Sequence, residues 1–170
     1  MAGGGITITE ARDEVVDFSI SFISTDQKIL VAKGDSEIGG RADLEASDCN
    51  VGSQTGTTNY DLSVDVVGED RIVAFESFAF AVQALITGDV CAVIMDDVAG
   101  QGYQGENADE VDMLAESLQS DPLGWAFTEG SDQLNIRCYL HTSDYALRGW
   151  YTPAKRTLPL KRSFTWAASC

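Results

Sequence analysis

The chain has 170 residues, a formal net charge of −16 and a hydrophobic content of 44%, enough apolar mass for one packed domain or one large lobe. The negative balance argues against a nucleic-acid backbone as partner. No apolar run reaches the roughly 18 residues of a membrane span, and the opening "MAGGGITITEARDE" has neither the basic region nor the apolar core of a secretory signal.

Along the chain, Ile6, Thr7, Ile8 and Thr9 alternate as in a short strand. "KILVAK" (28–33) is an apolar run with charged ends and reads as a buried strand. The polar stretch 34–50 connects onward, with Asp43-Leu44 starting a helical turn. Residues 50–54 form the next strand. Gly56 breaks it, and Thr57 or Thr58 caps a helix through Asp61–Val66. "RIVAFES" (71–77) is a further strand, and Ser77 is the N-cap of a helix with Phe78, Val82, Leu85 and Ile86 at helical spacing and Gly88 as its stop. "DVCAVIMD" (89–96) is nearly all apolar, as in a central strand covered on both faces, with Cys91 a small buried residue within it. Asp97 then opens a short helix over 97–103, and residues 112–118 and 123–131 read as strands joined by Asp121-Pro122.

Strands alternating with helices imply an α/β lobe with a mostly parallel sheet flanked by helices. Ligands of such sheets sit beyond the carboxyl ends of the strands. "QTGTT" and Asp96-Asp97 both occupy that place, so the order of elements aims them at one crevice.

The chemistry-bearing residues are few. Four cysteines without CxxC spacing and one histidine do not make a zinc site, and although an even count permits disulfides, no spacing argues for them. There is no Gly-x-Ser-x-Gly elbow and no phosphate-loop lysine, so catalysis finds little support, and no cofactor is implied. Gly-Thr-Thr at a helix start is either a plain cap after a glycine turn or a cradle for a carboxylate or phosphate. Asp96 at a strand end either caps the next helix or meets an ammonium group in a closed cleft. Arg12 is one of five basic residues in the first 136; it either pairs with Glu10 or Asp13 or holds a carboxylate bidentately. Together the three describe the head group of an α-amino acid.

"GITITEARDEVVDFS", "VGSQTGTT", "IVAFESFAFAVQALITGDVCAVIMDD" and "DPLGWAFTEGSDQL", in this order over roughly residues 2–134, resemble the type II periplasmic solute-binding proteins of polar amino-acid ABC transporters. The resemblance implies two α/β lobes joined by two crossing strands, with the ligand between them. It implies that Gly5 and Thr7 touch the ligand from the first-lobe edge and that Arg12 binds its carboxylate. Thr57 and Thr58 would add hydrogen bonds to that carboxylate, Asp96 would receive the ammonium, and Gln54 would contact the side chain. The family binds and closes rather than making bonds, and hands its ligand to a membrane permease. A full-length parent would accordingly be periplasmic or extracellular. Residues 1–28 would be a remnant of the first lobe and hinge, 29–128 the second lobe, and 129–170 the hinge return and an aberrant tail. The same fold and residues would also serve the ligand-sensing lobe of a receptor or sensor kinase; a cyclohexadienyl dehydratase-like enzyme on this fold would need an extra acid or base in the cleft, and a truncated fragment without function is a further reading. Exposed lobe-joining surfaces would favour a homodimer.

The sequence departs from the family at its ends. The expected first lobe would precede residue 2, and Cys91 replaces a usual aspartate. Residues 1–136 hold 26 of the 27 acids, whereas 137–170 hold one acid and six of the 11 basic residues. Gly149-Trp150-Tyr151-Thr152 is encoded GGN TGG TAY ACN. Read one nucleotide later this permits Asp-Gly-Thr, about where the family has it, which is expected of a frameshift near residue 135. The coding sequence across 136–150 should then be open in the shifted frame, and stop codons there would refute the frameshift.

Overall fold

The computed structural model describes residues 2–35 and 37–130. The tail from residue 131, with His141, Cys138 and Cys170, the frameshift expectation and the last residue of the 123–131 strand, lies outside the described residues.

The chain begins with a short helix α1 (Glu10–Asp13), capped by the Thr9 hydroxyl, which accepts from the Arg12 amide. Strand β1 (Val16–Phe18) follows and pairs antiparallel with β7 (Ala126–Thr128) as a separate two-stranded sheet. The alternating run 6–9 is not a full strand. Thr7 bridges Leu123, and two backbone bonds, Ile8 to Pro122 and Gly124 to Ile6, lay the segment along the end of the longest strand among the described residues. Thr9 is diverted to cap α1, which ends the extension after a single bridge.

The main sheet holds β2 (Ile23–Ala32), β3 (Val51–Gln54), β4 (Ile72–Phe75), β5 (Ala92–Asp96) and β6 (Val111–Leu123) in the order β4-β3-β5-β2-β6. β3 runs parallel to β4 and β5, while β2 is antiparallel to β5 and β6. Four strands thus share one direction and β2 alone opposes them. The expected mostly parallel sheet is mixed in its ladders, because the chain enters through β2 at the end where β3 and β5 finish. β6 is one continuous strand where the sequence suggested a joint at Asp121-Pro122. Pro122 fits because β6 is an edge of the main sheet and Pro122 faces away from β2, toward the short 6–8 segment, so its missing N–H takes no bond from the β2 ladder.

Helices α2 (Arg41–Ala46) and α3 (Thr58–Val67) cover one face, and α4 (Phe78–Thr87) and α5 (Asp97–Glu106) complete the lobe. Side chains alternate across the sheet accordingly. Ile29, Val31, Ala92 and Ile94 pack with Leu44, Leu62 and Val66. Leu30, Val93 and Met95 pack on the opposite face with Val82 and Leu85. β5 is therefore the doubly covered central strand that its apolar run implied. Gly88 closes α4 in the left-handed region at φ 82°, as its glycine suggested. Ser77 stands at the N-cap of α4 with extended backbone but makes no side-chain cap bond.

Cys91 is not a free buried thiol. It is bonded to Cys49, with the two Cα atoms 6.0 Å apart. The two precede β5 and β3, whose residues Ala92 and Val51 are register partners, so sheet adjacency juxtaposes cysteines that are 42 positions apart in the chain. In the chain-entropy view, opening a loop of that length costs about 4 kcal/mol. The Cys49→Ser/Cys91→Ser variant is expected to lose stability of that order in urea unfolding, and wild-type protein to lose the same amount under reductant.

Candidate functional site

The carboxyl ends of β3 and β5 open onto the N-termini of α3 and α5. Gly56, at φ 73°, turns the chain out of β3. Thr57 is the N-cap of α3: its hydroxyl accepts from the Tyr60 amide and donates to the Gln54 carbonyl at 2.7 Å. Of the two threonines, Thr57 is thus committed to capping. Thr58, in the first turn, turns its hydroxyl to that of Thr7 at 3.2 Å. Thr7 is only 4% exposed. It is carried there by the bridge to Leu123.

Arg12 lies against the same turn. Its guanidinium donates to the Thr7 carbonyl at 3.0 Å and to the Gly56 carbonyl at 3.4 Å. Among the described residues the ion pairs are Lys33–Asp112 and Arg41–Glu45, so Arg12 pairs with neither Glu10 nor Asp13. The planar fork reaches across from α1 to the loop before α3, with no carboxylate paired to it among the described residues.

Asp96 occupies the N-cap position of α5, but its side chain makes no cap bond. The carboxylate instead accepts from Asn59 Nδ2 at 3.0 Å. A Cβ on Gly5 would sit 3.8 Å from Asp96 Oδ2, which places the Gly5 backbone beside the carboxylate. Burial pushes the Asp96 pKa above its ordinary value near 3.8; the Asn59 hydrogen bond opposes this, and the charges of Asp121 and Asp97 add to the rise. The fold thus brings Gly5, Thr7, Arg12, Thr57, Thr58 and Asp96 into one corner. Gln54 ends β3 half-buried, and it joins this network through its carbonyl.

Three participants escaped the sequence reading. Asn59 directly follows Gly-Thr-Thr and is 4% exposed. Gln27, fully buried, donates from Nε2 to Asp121 Oδ2 and to the Thr58 hydroxyl at 3.4 Å. Asp121, 6% exposed, also accepts from Gln119 Nε2 at 2.7 Å. Period-2 spacing of Thr25, Gln27 and Ile29 signals that polar residues continue a buried face, and this could have found Gln27. The arrangement can hold a cationic group at Asp96 and an anionic group between Arg12 and the first turn of α3.

No family model matches the chain. It is 32% identical over 121 residues to the glutamine-binding protein of Geobacillus stearothermophilus, covering 71% of this chain and 45% of the relative. It is 30% identical over 129 residues to the ABC transporter glutamine-binding protein GlnH of Bacillus subtilis strain 168, covering 76% and 46%. Among solved structures, an ancestral arginine-binding protein bound to glutamine superposes with a TM-score of 0.76 at 30% identity, over 84% of this chain and 63% of that one. The chain therefore spans slightly less than half the length of the curated relatives it matches, and these relatives are named as binding proteins.

The raised pKa of Asp96 has a stability consequence. The folded state holds the Asp96 proton more tightly than the unfolded state. The ionised carboxylate therefore costs nothing below about pH 3.8, and the cost grows as pH rises through the raised pKa. Asp96→Asn, which keeps an acceptor for Asn59, is expected to be at least as stable as wild type at pH 7. The difference should vanish near pH 3 in thermal unfolding followed by circular dichroism.

Proposed function

We propose that this chain belongs to the type II periplasmic solute-binding proteins of amino-acid ABC transporters, and that it supplies the second lobe and both crossing strands, β2 and β6, of a receptor for a polar L-amino acid. The observation that carries the reading is Asp96: a half-buried carboxylate at a helix N-cap, unused for capping, facing Gly5 and lying in the same corner as Arg12 and Thr58. The α-ammonium docks on Asp96. The α-carboxylate lies between Arg12 and the first turn of α3, exchanging the two backbone carbonyls for a charge-assisted pair. Glutamine is the ligand to try first, from the names of the relatives.

The reading is capture by cleft closure, without bond making, followed by delivery to a membrane permease. The Cys49–Cys91 disulfide supports residence in an oxidising compartment, periplasmic or extracellular. No helix among the described residues is long and apolar enough to cross a membrane. Exposed Val15, Ile20, Phe22 and Ile23 mark where the remainder of a first lobe, or a second copy, would pack.

Affinity in such clefts comes from near-complete enclosure, and this chain spans slightly less than half of its relatives. The 170-residue chain is expected to bind L-glutamine with a Kd on the order of millimolar, read as amide shifts at Thr57, Thr58 and Asp96 in an NMR titration. Asp96→Asn should abolish those shifts. Binding should also weaken as pH falls through the raised Asp96 pKa, since the protonated acid cannot hold an ammonium. Absence of any shift at tens of millimolar would refute amino-acid binding by this chain, and a submicromolar Kd would refute the half-pocket account.

A further inference from the structure

Asp96, Gln27 and Gln119 are Cα partners across β5, β2 and β6, so their side chains share one face of the sheet. Thr25 and Asp121 form the next row on that face. Acceptors exceed donors in this corner. The carboxylates of Asp96 and Asp121 receive amide N–H groups from Asn59, Gln27 and Gln119. The buried Gln27 Oε1 has no hydrogen-bond partner among the described residues. Neither carboxylate is in an ion pair among the described residues. A buried acceptor without a donor, next to two carboxylates, is costly to stability. A cation carrying several N–H donors would relieve both defects.

We propose that Asp121, held in place by Gln27 and Gln119, is a positioning residue for a ligand ammonium group docked at Asp96, and that it favours ligands bearing that charge over otherwise identical ones without it. This rests on the amino-acid-binding reading above. Asp121 acts through space: a desolvated carboxylate exerts its field across several ångströms where water is excluded. Gln27 stands between the two acids, fixes the rotamer of Asp121 and presents Oε1 to the same corner. The simpler role for Asp121, an anchor between the two crossing strands, makes the opposite stability prediction.

The test is Asp121→Asn in the 170-residue chain. In that variant Gln27 can turn its amide over, so that Oε1 accepts from the new Asn side chain. The variant should therefore unfold at the same or a higher temperature than wild type. Both proteins are titrated by NMR with L-glutamine and with 4-carbamoylbutanoate, which is glutamine without its ammonium group. Glutamine binding is expected to weaken about tenfold, while binding of the analogue does not weaken. The Asp96 carboxyl, followed by carbon-13 NMR, should titrate at lower pH in the variant. The charged groups around Asp96 are Asp97 on its own helix and Asp121 on β6, with neutral Asn59 from α3. Equal weakening of both ligands, an unmoved Asp96 midpoint, or a lower unfolding temperature with unchanged discrimination overturns the proposal. If wild type binds neither ligand, the amino-acid reading falls and this inference with it. If wild type binds glutamine and the variant binds it equally well, this inference falls by itself.

Discussion

Strand β2 is hydrogen-bonded on both edges, to β5 and to β6, and its middle is buried on both faces. Ile29 and Val31 feed one half of the core and Leu30 the other, so the two apolar clusters meet at this strand. Its direction is opposed to the rest of the sheet. That inversion starts the lobe at the carboxyl ends of β3 and β5, where β6 also finishes. β2 and β6 are therefore neighbours at this corner, and the floor of the candidate site is built from the same ladder that holds the core. On the face that Ile29 and Val31 continue, Thr25 and Gln27 are the last polar residues of β2 before its apolar part begins, which is why one strand serves both.

The corner above that floor carries two kinds of uncompensated charge. Among the described residues, Asp96 and Asp121 are partnered by neutral amides and Arg12 by backbone carbonyls, with no ion pair on any of the three. A protein at rest would gain by pairing such groups with each other. Here the fold keeps the cation on the α1 side and the acids on the sheet, with the hydroxyls of Thr7 and Thr58 between them. Separated opposite charges in a partly desolvated corner match a zwitterion better than they match any single ion. The N-terminus of α3 adds its partial positive charge on the side where the anion would lie.

Much of this was legible in the residues. Helix α3 announces itself through Gly56 and the Thr57 cap and α4 through its Gly88 stop, because capping and left-handed turns are local demands that one or two residues satisfy, while Ser77 and Asp96 mark the N-cap positions of α4 and α5 without making a cap bond. The double burial of β5 follows from its unbroken apolar run. The disulfide was not legible, since the positions of Cys49 and Cys91 carry no pairing rule until β3 and β5 are known to be adjacent. The direction of β2 was equally hidden: an apolar strand looks the same from either end.

For the site the division is similar. Composition and motif order by themselves determined an acidic α/β lobe with a glycine-threonine turn and an aspartate at the ends of two strands, because those features depend on neighbours within a few residues. Only the tertiary structure decided that Thr57 caps while Thr58 faces Thr7, that Arg12 reaches Gly56, and that Asp96 is left free of its own helix. It also decided that Gln27 and Asp121, 94 positions apart, share a hydrogen bond beneath them. Such contacts arise from strand register and crossover, and register is set by the packing of the whole sheet.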